Sequence, residues 1–401
     1  MAIMNFYQPT NMNGVEDWGG VITNETSSNI TVEDGAGRLV SYNGYFTYSY
    51  YGGLYGGTLT DFSVYTDYAS HYSVSGLALD ALVFEQYMEA DDTLGLLERI
   101  AAGSDIFYGS AGSDVLEGLA GDDDIYGGSG DDALYGGSGN DDLFGDSGND
   151  YLAGDSGTDW AIFDGSRASY IMKTLVGGYS VADTFTFGDG TDTLSNVERA
   201  VFADQSVNLT VGVAAQSIAP AQLDSLVELY IAYINRVPDA DGMVFWISQL
   251  KAGKTLNQIG ESFYAAAVQY SSLTGYSATM SNSDFVRVVY SNVLGRDEPD
   301  AGGLAFWSNE LNTGHSSRGT LVASILASAH SFKGDATYGW VADLLDNKIE
   351  VGTIFAIEQG LVYNSSEATI ARGMDIADAV TPYSIDWAID LIGVNDGFSL
   401  Y

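Results

Sequence analysis

Between Gly127 and Phe144 the chain reads GGSGDDALYGGSGNDDLF, one nine-residue unit written twice. No other feature narrows the possible folds as much. Glycine at up to three places in nine argues against a helix, since each costs about 1 kcal/mol relative to alanine. A carboxylate beside every apolar residue argues against an ordinary compact core. What remains is a chain that turns, extends briefly and turns again, stacking unit upon unit. The repeated aspartates are Asp105, Asp114, Asp123, Asp132, Asp141, Asp150 and Asp159, nine apart throughout. Two residues after each stands an inward candidate: Phe107, Leu116, Ile125, Leu134, Leu143, Leu152 and Ala161.

This spacing has a chemical reason. Glycine permits the positive φ of tight turns and lets backbone carbonyls crowd together. A hard cation such as Ca²⁺ takes about six to eight oxygens and accepts carbonyls as readily as carboxylates. Two units make one coil of eighteen residues, so Asp114 lies over Asp132 and Asp123 over Asp141. An ion between such turns neutralises both aspartates. The backbone carbonyls of Gly127, Ser129, Gly136, Ser138, Gly145 and Ser147 are the candidates to complete its shell.

The tract resembles the RTX (repeat-in-toxin) nonapeptide. That resemblance implies a parallel β-roll with calcium in both rows of turns, roughly four to six ions in all. It also implies export by type I secretion machinery that reads an uncleaved C-terminal signal. The first unit departs from the pattern with IAAGSD. Asp146 and Asp155 replace the second glycine, a position aspartate tolerates because it visits left-handed conformations.

Residues 101–160 carry 14 acidic and no basic side chains. Without ions, their repulsion and the entropy of a glycine-rich backbone leave the tract unfolded, so ion binding becomes folding energy. Extracellular calcium modules work at about 10⁻⁴ to 10⁻³ M. A calcium-poor cytosol thus keeps the chain exportable, and the outside folds it.

Over all 401 residues, 14 basic against 54 acidic side chains give a net charge of −40. That sign opposes nucleic acid and anionic membrane surfaces and favours cations. With no cysteine there is no disulfide and no thiolate site. The start, MAIMNFYQPTNMNG, has neither the basic nor the apolar region of a Sec signal. No apolar run reaches the roughly 18 residues of a membrane span, so membrane insertion is not expected.

By texture the expected fold is multidomain β plus α. Residues 1–100 are a β-rich N-terminal region or solenoid cap, with a hairpin turn expected at Asn43-Gly44 and a strand face at Phe46, Tyr48 and Tyr50. The tyrosines there suit either a sugar-stacking surface or, as preferred, the cover of a core end. The DTLGLLERIAAG stretch suits a short amphipathic helix. Residues 101–165 are the RTX roll, or β-solenoid, and 166–212 a strand-rich extension of it. In that extension Asp189 and Asp192 serve an ion or, as preferred, a turn or cap.

An all-α C-terminal domain follows, with residues 217–335 helical. There NRVPDADGMVFW (235–246) returns as GRDEPDAGGLAFW (295–307). Arg236 and Arg296, Pro238 and Pro299, Asp239 and Asp300, Gly242 and Gly303, and Trp246 and Trp307 correspond. Each aspartate reads as a helix cap and each Phe-Trp as core. The pattern resembles DUF4214, a family of unknown function often joined to RTX repeats. Residues 336–401 form a helical tail where the type I signal belongs.

No zinc-protease, nucleophile-elbow or triad spacing appears. His71, His315 and His330, the only histidines, read as surface or satisfied polar residues. The sequence therefore points to a secreted, non-catalytic, calcium-binding protein that assembles with itself at a cell surface or in a matrix. A carbohydrate-binding adhesin, with surface or matrix glycans as partners, is the main alternative, and an enzyme with an unrecognised site the lesser one.

Overall fold

The computed structural model describes residues 3–6, 21–25, 29–33, 38–48, 54–66, 69–81, 83, 86, 93–185, 188–295, 299–394 and 397–401. They fall into two compact units, residues 1–203 and 204–401, so the boundary lies inside the stretch 166–212.

The first unit opens with an antiparallel meander of Val21–Glu25, Asn29–Glu33, Arg38–Tyr48, Leu54–Thr66 and Ala69–Asp80. Among its described side chains Val40, Tyr42, Leu59, Phe62 and Val74 are buried, and the Tyr42 and Phe62 rings meet across paired strands at 5.9 Å. Asn43-Gly44 is not a hairpin turn. The two residues run through the middle of Arg38–Tyr48, where Asn43 faces Asp61, Gly44 faces Leu59, and Thr60 is left as a bulge. Asn43 Nδ2 donates to Asp61 at 2.6 Å and Thr60 Oγ1 to the Asn43 carbonyl at 3.2 Å. Side-chain pairing across the ladder fixes the register here and overrides the local turn preference. Tyr50 and the side chains of Phe46, Tyr48 and His71 lie outside the described residues.

Ile3–Phe6 pairs antiparallel with Ala69–Asp80 on one side and parallel with Ile106–Tyr108 on the other, so it joins meander to roll. The expected helix forms at Thr93–Ile100, with Leu96 and Ile100, four apart, buried.

The roll is a parallel β-solenoid of two sheets. One stacks Ile106–Tyr108, Asp124–Tyr126, Asp142–Phe144 and Trp160–Ile162. The other stacks Val115–Glu117, Ala133–Ser138 and Tyr151–Ser156. Each three-residue strand turns its middle side chain inward. Phe107, Leu116, Ile125, Leu134, Leu143, Leu152 and Ala161 all have 0% exposure. Burial of each larger member stabilises by about 1.5–3 kcal/mol. Outside, Tyr108, Tyr126 and Phe144 stack at 5.0 and 4.2 Å.

The solenoid outlasts the repeats. After a hairpin of Tyr170–Leu175 and Gly178–Asp183, the chain returns to both sheets. Thr191–Ser195 pairs parallel with Tyr151–Ser156, and Arg199–Val201 with Trp160–Ile162.

The second unit is helical apart from a short antiparallel pair, Gln205–Asn208 with Leu361–Tyr363. Its central helix, Pro220–Ile234, buries every residue from Leu226 to Ile234, Glu228 included. Around it stand Leu256–Gln269, Asn282–Leu294, Arg318–His330 and Gly339–Thr353.

The duplicated motif forms two similar corners. Asp239 and Asp300 cap Ala240–Lys251 and Ala301–Asn312, each accepting a 2.8 Å bond from the glycine three residues on. Those glycines have a steric cause. A Cβ on Gly242 would lie 2.1 Å from the Tyr230 hydroxyl, and one on Gly303 2.8 Å from that of Tyr290. Trp307 Nε1 donates to the Tyr290 hydroxyl at 2.8 Å. The Phe-Trp pairs reach the core only through their tryptophans: both are half-buried, and Trp246 stacks on buried Phe263 at 4.9 Å. Phe245 and Phe306 are over half exposed, because the inward stripe of the first copy runs through Met243 and Ile247 instead. Arg296 lies outside the described residues. His330 ends a helix and is hydrogen-bonded to Glu228, while exposed His315 meets Thr313 Oγ1 at 3.1 Å. Among the described residues, no helix is long and apolar enough to cross a membrane.

Candidate metal centre

Two rows of aspartates run along the turns of the roll, and backbone bonds set each one in place. The N–H of Asp105 donates to Oδ1 of Asp123 at 2.7 Å, and that of Asp114 to Asp132 at 2.7 Å. Asp123 to Asp141, Asp132 to Asp150 and Asp141 to Asp159 follow at 2.8, 2.8 and 2.9 Å. Each partner is 18 residues on, as the coil length requires. The predicted stacking of Asp114 with Asp132 and of Asp123 with Asp141 is thus present. All seven aspartates are buried, at 0–3% exposure.

With Oδ1 held, Oδ2 is aimed at the first glycine of its own unit. A Cβ on Gly127, Gly136, Gly145 or Gly154 would lie 2.5, 2.3, 2.5 and 2.5 Å from Oδ2 of Asp132, Asp141, Asp150 and Asp159. Three of the predicted carbonyls share these cradles. The Gly127 oxygen lies 2.0 Å from the Cβ position of Gly109, beside Asp114, and the Gly136 oxygen 2.5 Å from that of Gly118, beside Asp123. The Gly145 oxygen lies 2.9 Å from that of Gly127, beside Asp132. The serines at the third position also bind coil to coil. The Ser138 and Ser147 carbonyls accept from Gly121 and Gly130 at 2.8 and 2.9 Å, and Ser129 bridges to Ser147.

Backbone conformation explains the remaining glycines. Gly128 and Gly137 have φ of 98° and 99°, and at the same turn position Asp146 and Asp155 take 61° and 64°, in the left-handed region aspartate tolerates.

The donor set fits a hard cation. Oδ2 of Asp123, Asp132, Asp141, Asp150 and Asp159 is buried and meets no hydrogen-bond donor. Burial and, after it, neighbouring carboxylates push Asp123, Asp132 and Asp159 up to about 7, and Asp141 and Asp150 up to about 6, from 3.8. Backbone N–H donation only partly offsets this. Leaving such a group ionised without a partner costs several kcal/mol. Among the described residues no three carboxylate or imidazole side chains converge on one point. An ion here therefore takes two aspartates at most and draws its other ligands from carbonyls, as calcium accepts.

Sequence reading named Asp192 as an ion or turn residue without placing it in a row, and missed Glu198. Asp150 donates its N–H to Asp192 Oδ1 at 2.9 Å and Asp159 to Glu198 Oε2 at 2.8 Å. The signal was Gly190-Thr191-Asp192-Thr193-Leu194, a unit displaced from the nine-residue period; Leu194 is fully buried on the inner stripe. Asp192 is pushed up to about 8, by burial first and Asp150 next.

Residues 101–134 and 126–161 match the family described as RTX calcium-binding nonapeptide repeat (4 copies), and residues 270–333 match the Domain of unknown function (DUF4214). The latter holds the second copy of the duplicated corner and not the first. No curated protein matches the chain. The tract of buried aspartates is therefore an array of RTX calcium-binding nonapeptide repeats, carried in one chain with a DUF4214 domain.

Proposed function

We propose that this protein is a secreted, non-catalytic structural protein whose roll folds on calcium outside the cell, and that it assembles with copies of itself at a cell surface or in an extracellular matrix. One observation carries the calcium-dependent part: five buried aspartate Oδ2 atoms, stacked in two rows, with no donor. Protons or cations must meet them, and near neutral pH a divalent ion neutralises two at once. The matched repeats support calcium as that ion and type I secretion as the route.

Self-assembly is supported by the outer faces of the roll. There Tyr108, Tyr151 and Trp160 are about two-fifths exposed, at 41%, 38% and 40%. These rings stand on both outer faces of the roll and offer aromatic contact area to a second copy. The test is electron microscopy of the purified protein with calcium and with chelator, beside a glycan array. Calcium-dependent polymers support the proposal. Monomers at every calcium level that bind defined glycans would replace it with an adhesin.

A further inference from the structure

Two helices of the second unit turn the same pattern of positions toward one cavity. Ala221, Asp224, Ser225 and Glu228 share a face of Pro220–Ile234, at positions i, i+3, i+4 and i+7. Asp346, Ile349, Glu350 and Thr353 share a face of Gly339–Thr353 at the same spacing. A helix stripe that faces a neighbour ordinarily carries apolar residues at these positions. Here carboxylates take their place, and the helices leave a cavity of about 560 Å³, the size of a small-molecule site. Glu358, which ends the π-helical turn Ile354–Glu358, adds a fifth carboxylate to the wall. Among the described residues lining the cavity there is one histidine, His330, and no lysine or arginine.

A second observation does not depend on the number of carboxylates. Glu228 is 8% exposed, so more than nine-tenths of it is buried, and it lines the cavity. Its Oε1 is hydrogen-bonded to His330, and its Oε2 meets no donor among the described residues. Asp224, Glu350 and Glu358 make no hydrogen bond or ion pair among the described residues either. Burial, ahead of any neighbour, pushes Asp224, Glu228 and Glu358 above the ordinary carboxylate range. A cation from outside relieves that cost.

The carboxylates fall into two groups. Asp224, Glu228 and Asp346 are within electrostatic reach of one another and of His330, while Glu350 and Glu358 form a second pair. Asp346 to Glu350 is one helical turn, about 6 Å, and apolar Ile349 lies on the same face. Asp346 already holds the Lys333 ammonium at 2.6 Å, which leaves Asp224 and Glu228 to receive a ligand at that end. We propose that this cavity binds an aliphatic diamine, one ammonium on Asp224 and Glu228, the other on Glu350 and Glu358, its methylene stem along Ala221 and Ile349. One charge at each end matches the two groups, and a short stem spans the turn between them. A single inorganic ion fits less well, since among the described residues no three such side chains converge on one point. The site lies wholly in the helical unit, apart from the roll, and of its wall only His330 falls within the matched DUF4214 segment.

Isothermal titration calorimetry of the full-length protein tests this, with cadaverine as the probe and pentylamine as the control. Excess calcium keeps the acidic roll occupied, and salt at about 150 mM screens the diffuse attraction of a chain carrying −40. The expected result is one saturable site for cadaverine, with pentylamine roughly 10-fold weaker or more. Glu228→Gln is expected to weaken cadaverine by roughly 10-fold or more. No binding, or unsaturated uptake that is the same in the variant, as any polyanion shows, overturns the site. Equal affinity for the two amines overturns it as well. Should Glu228→Gln fail to fold, Glu350→Gln, at an exposed position, decides. The preference for cadaverine over pentylamine is expected to vanish in that variant, and its survival overturns the proposal.

Discussion

Gly137 sits directly on Leu119: a Cβ on Gly137 would lie 2.4 Å from the Leu119 carbonyl oxygen, and the two residues have φ of 99° and 71°. Leucine pays for that conformation, since left-handed backbone costs a non-glycine residue about 1–2 kcal/mol. Leu119→Gly removes the strain but adds backbone entropy to the unfolded chain, about 0.5–1 kcal/mol. The expected net change in the calcium-loaded protein is within about 1 kcal/mol. Gly137→Ala brings strain and a clash with a backbone oxygen that cannot move aside, so it is expected to cost at least about 2 kcal/mol. Thermal unfolding in excess calcium checks the order of the two.

Asp141 lies in the middle of its row, with Oδ1 taking the Asp123 N–H at 2.8 Å and Oδ2 buried without a donor. Asp141→Asn keeps the shape and removes the charge. The calcium midpoint for gain of β signal by circular dichroism is expected to rise roughly 10-fold or more, at least the effect of losing an outer-shell metal partner. An unchanged midpoint would show that Asp141 holds no ion.

Chelation is expected to unfold the roll while the helical signal of the second unit persists, because none of the repeat aspartates belongs to that unit. Circular dichroism and hydrogen exchange in chelator measure this, residue range by residue range.

Acid is expected to substitute in part for calcium. The ladder aspartates are pushed up to about 6 to 7, against 3.8 for the free side chain. A raised carboxylate value means that the folded state holds its protons more tightly than the unfolded one. That contribution is full below about 3.8 and is lost as pH rises through about 6 to 7. In chelator, β signal is therefore expected to grow as pH falls from about 8 to about 5. With calcium present the trend reverses, since the ion displaces protons and binds better as pH rises.

The two corners of the second unit are expected to differ. Asp239 caps a helix and pairs at 3.0 Å with Arg236, which is 8% exposed and lies over the Tyr230 ring. Asp239→Ala strands that cation and is expected to cost about 3 kcal/mol or more. Asp300→Ala removes an exposed cap and should cost about 1 kcal/mol. Urea unfolding of the two variants compares them.

The repeat was readable because one residue type at one spacing does one job: each aspartate, glycine and inward apolar residue recurs in register, and the stacked coils follow from arithmetic. The places of Asp192 and Glu198 in the rows escaped because inserted residues, 24 by Asp192 and 21 by Glu198, destroy the period without disturbing the stack, and the stack exists only in space. Asn43-Gly44 misled for a related reason, since partners on neighbouring strands and not the dipeptide decide where the chain turns. Asp239 and Asp300 were legible as caps from their local context. The exposure of Phe245 and Phe306 was not, since it depends on which stripe of each helix meets its neighbours.

Every rung described above takes its carboxylate from the coil that comes later in the chain, never from the one before. The column accordingly has a polarity: each coil lends its carboxylates to the coil before it in the chain, so an aspartate lost from one rung loosens the backbone of its predecessor.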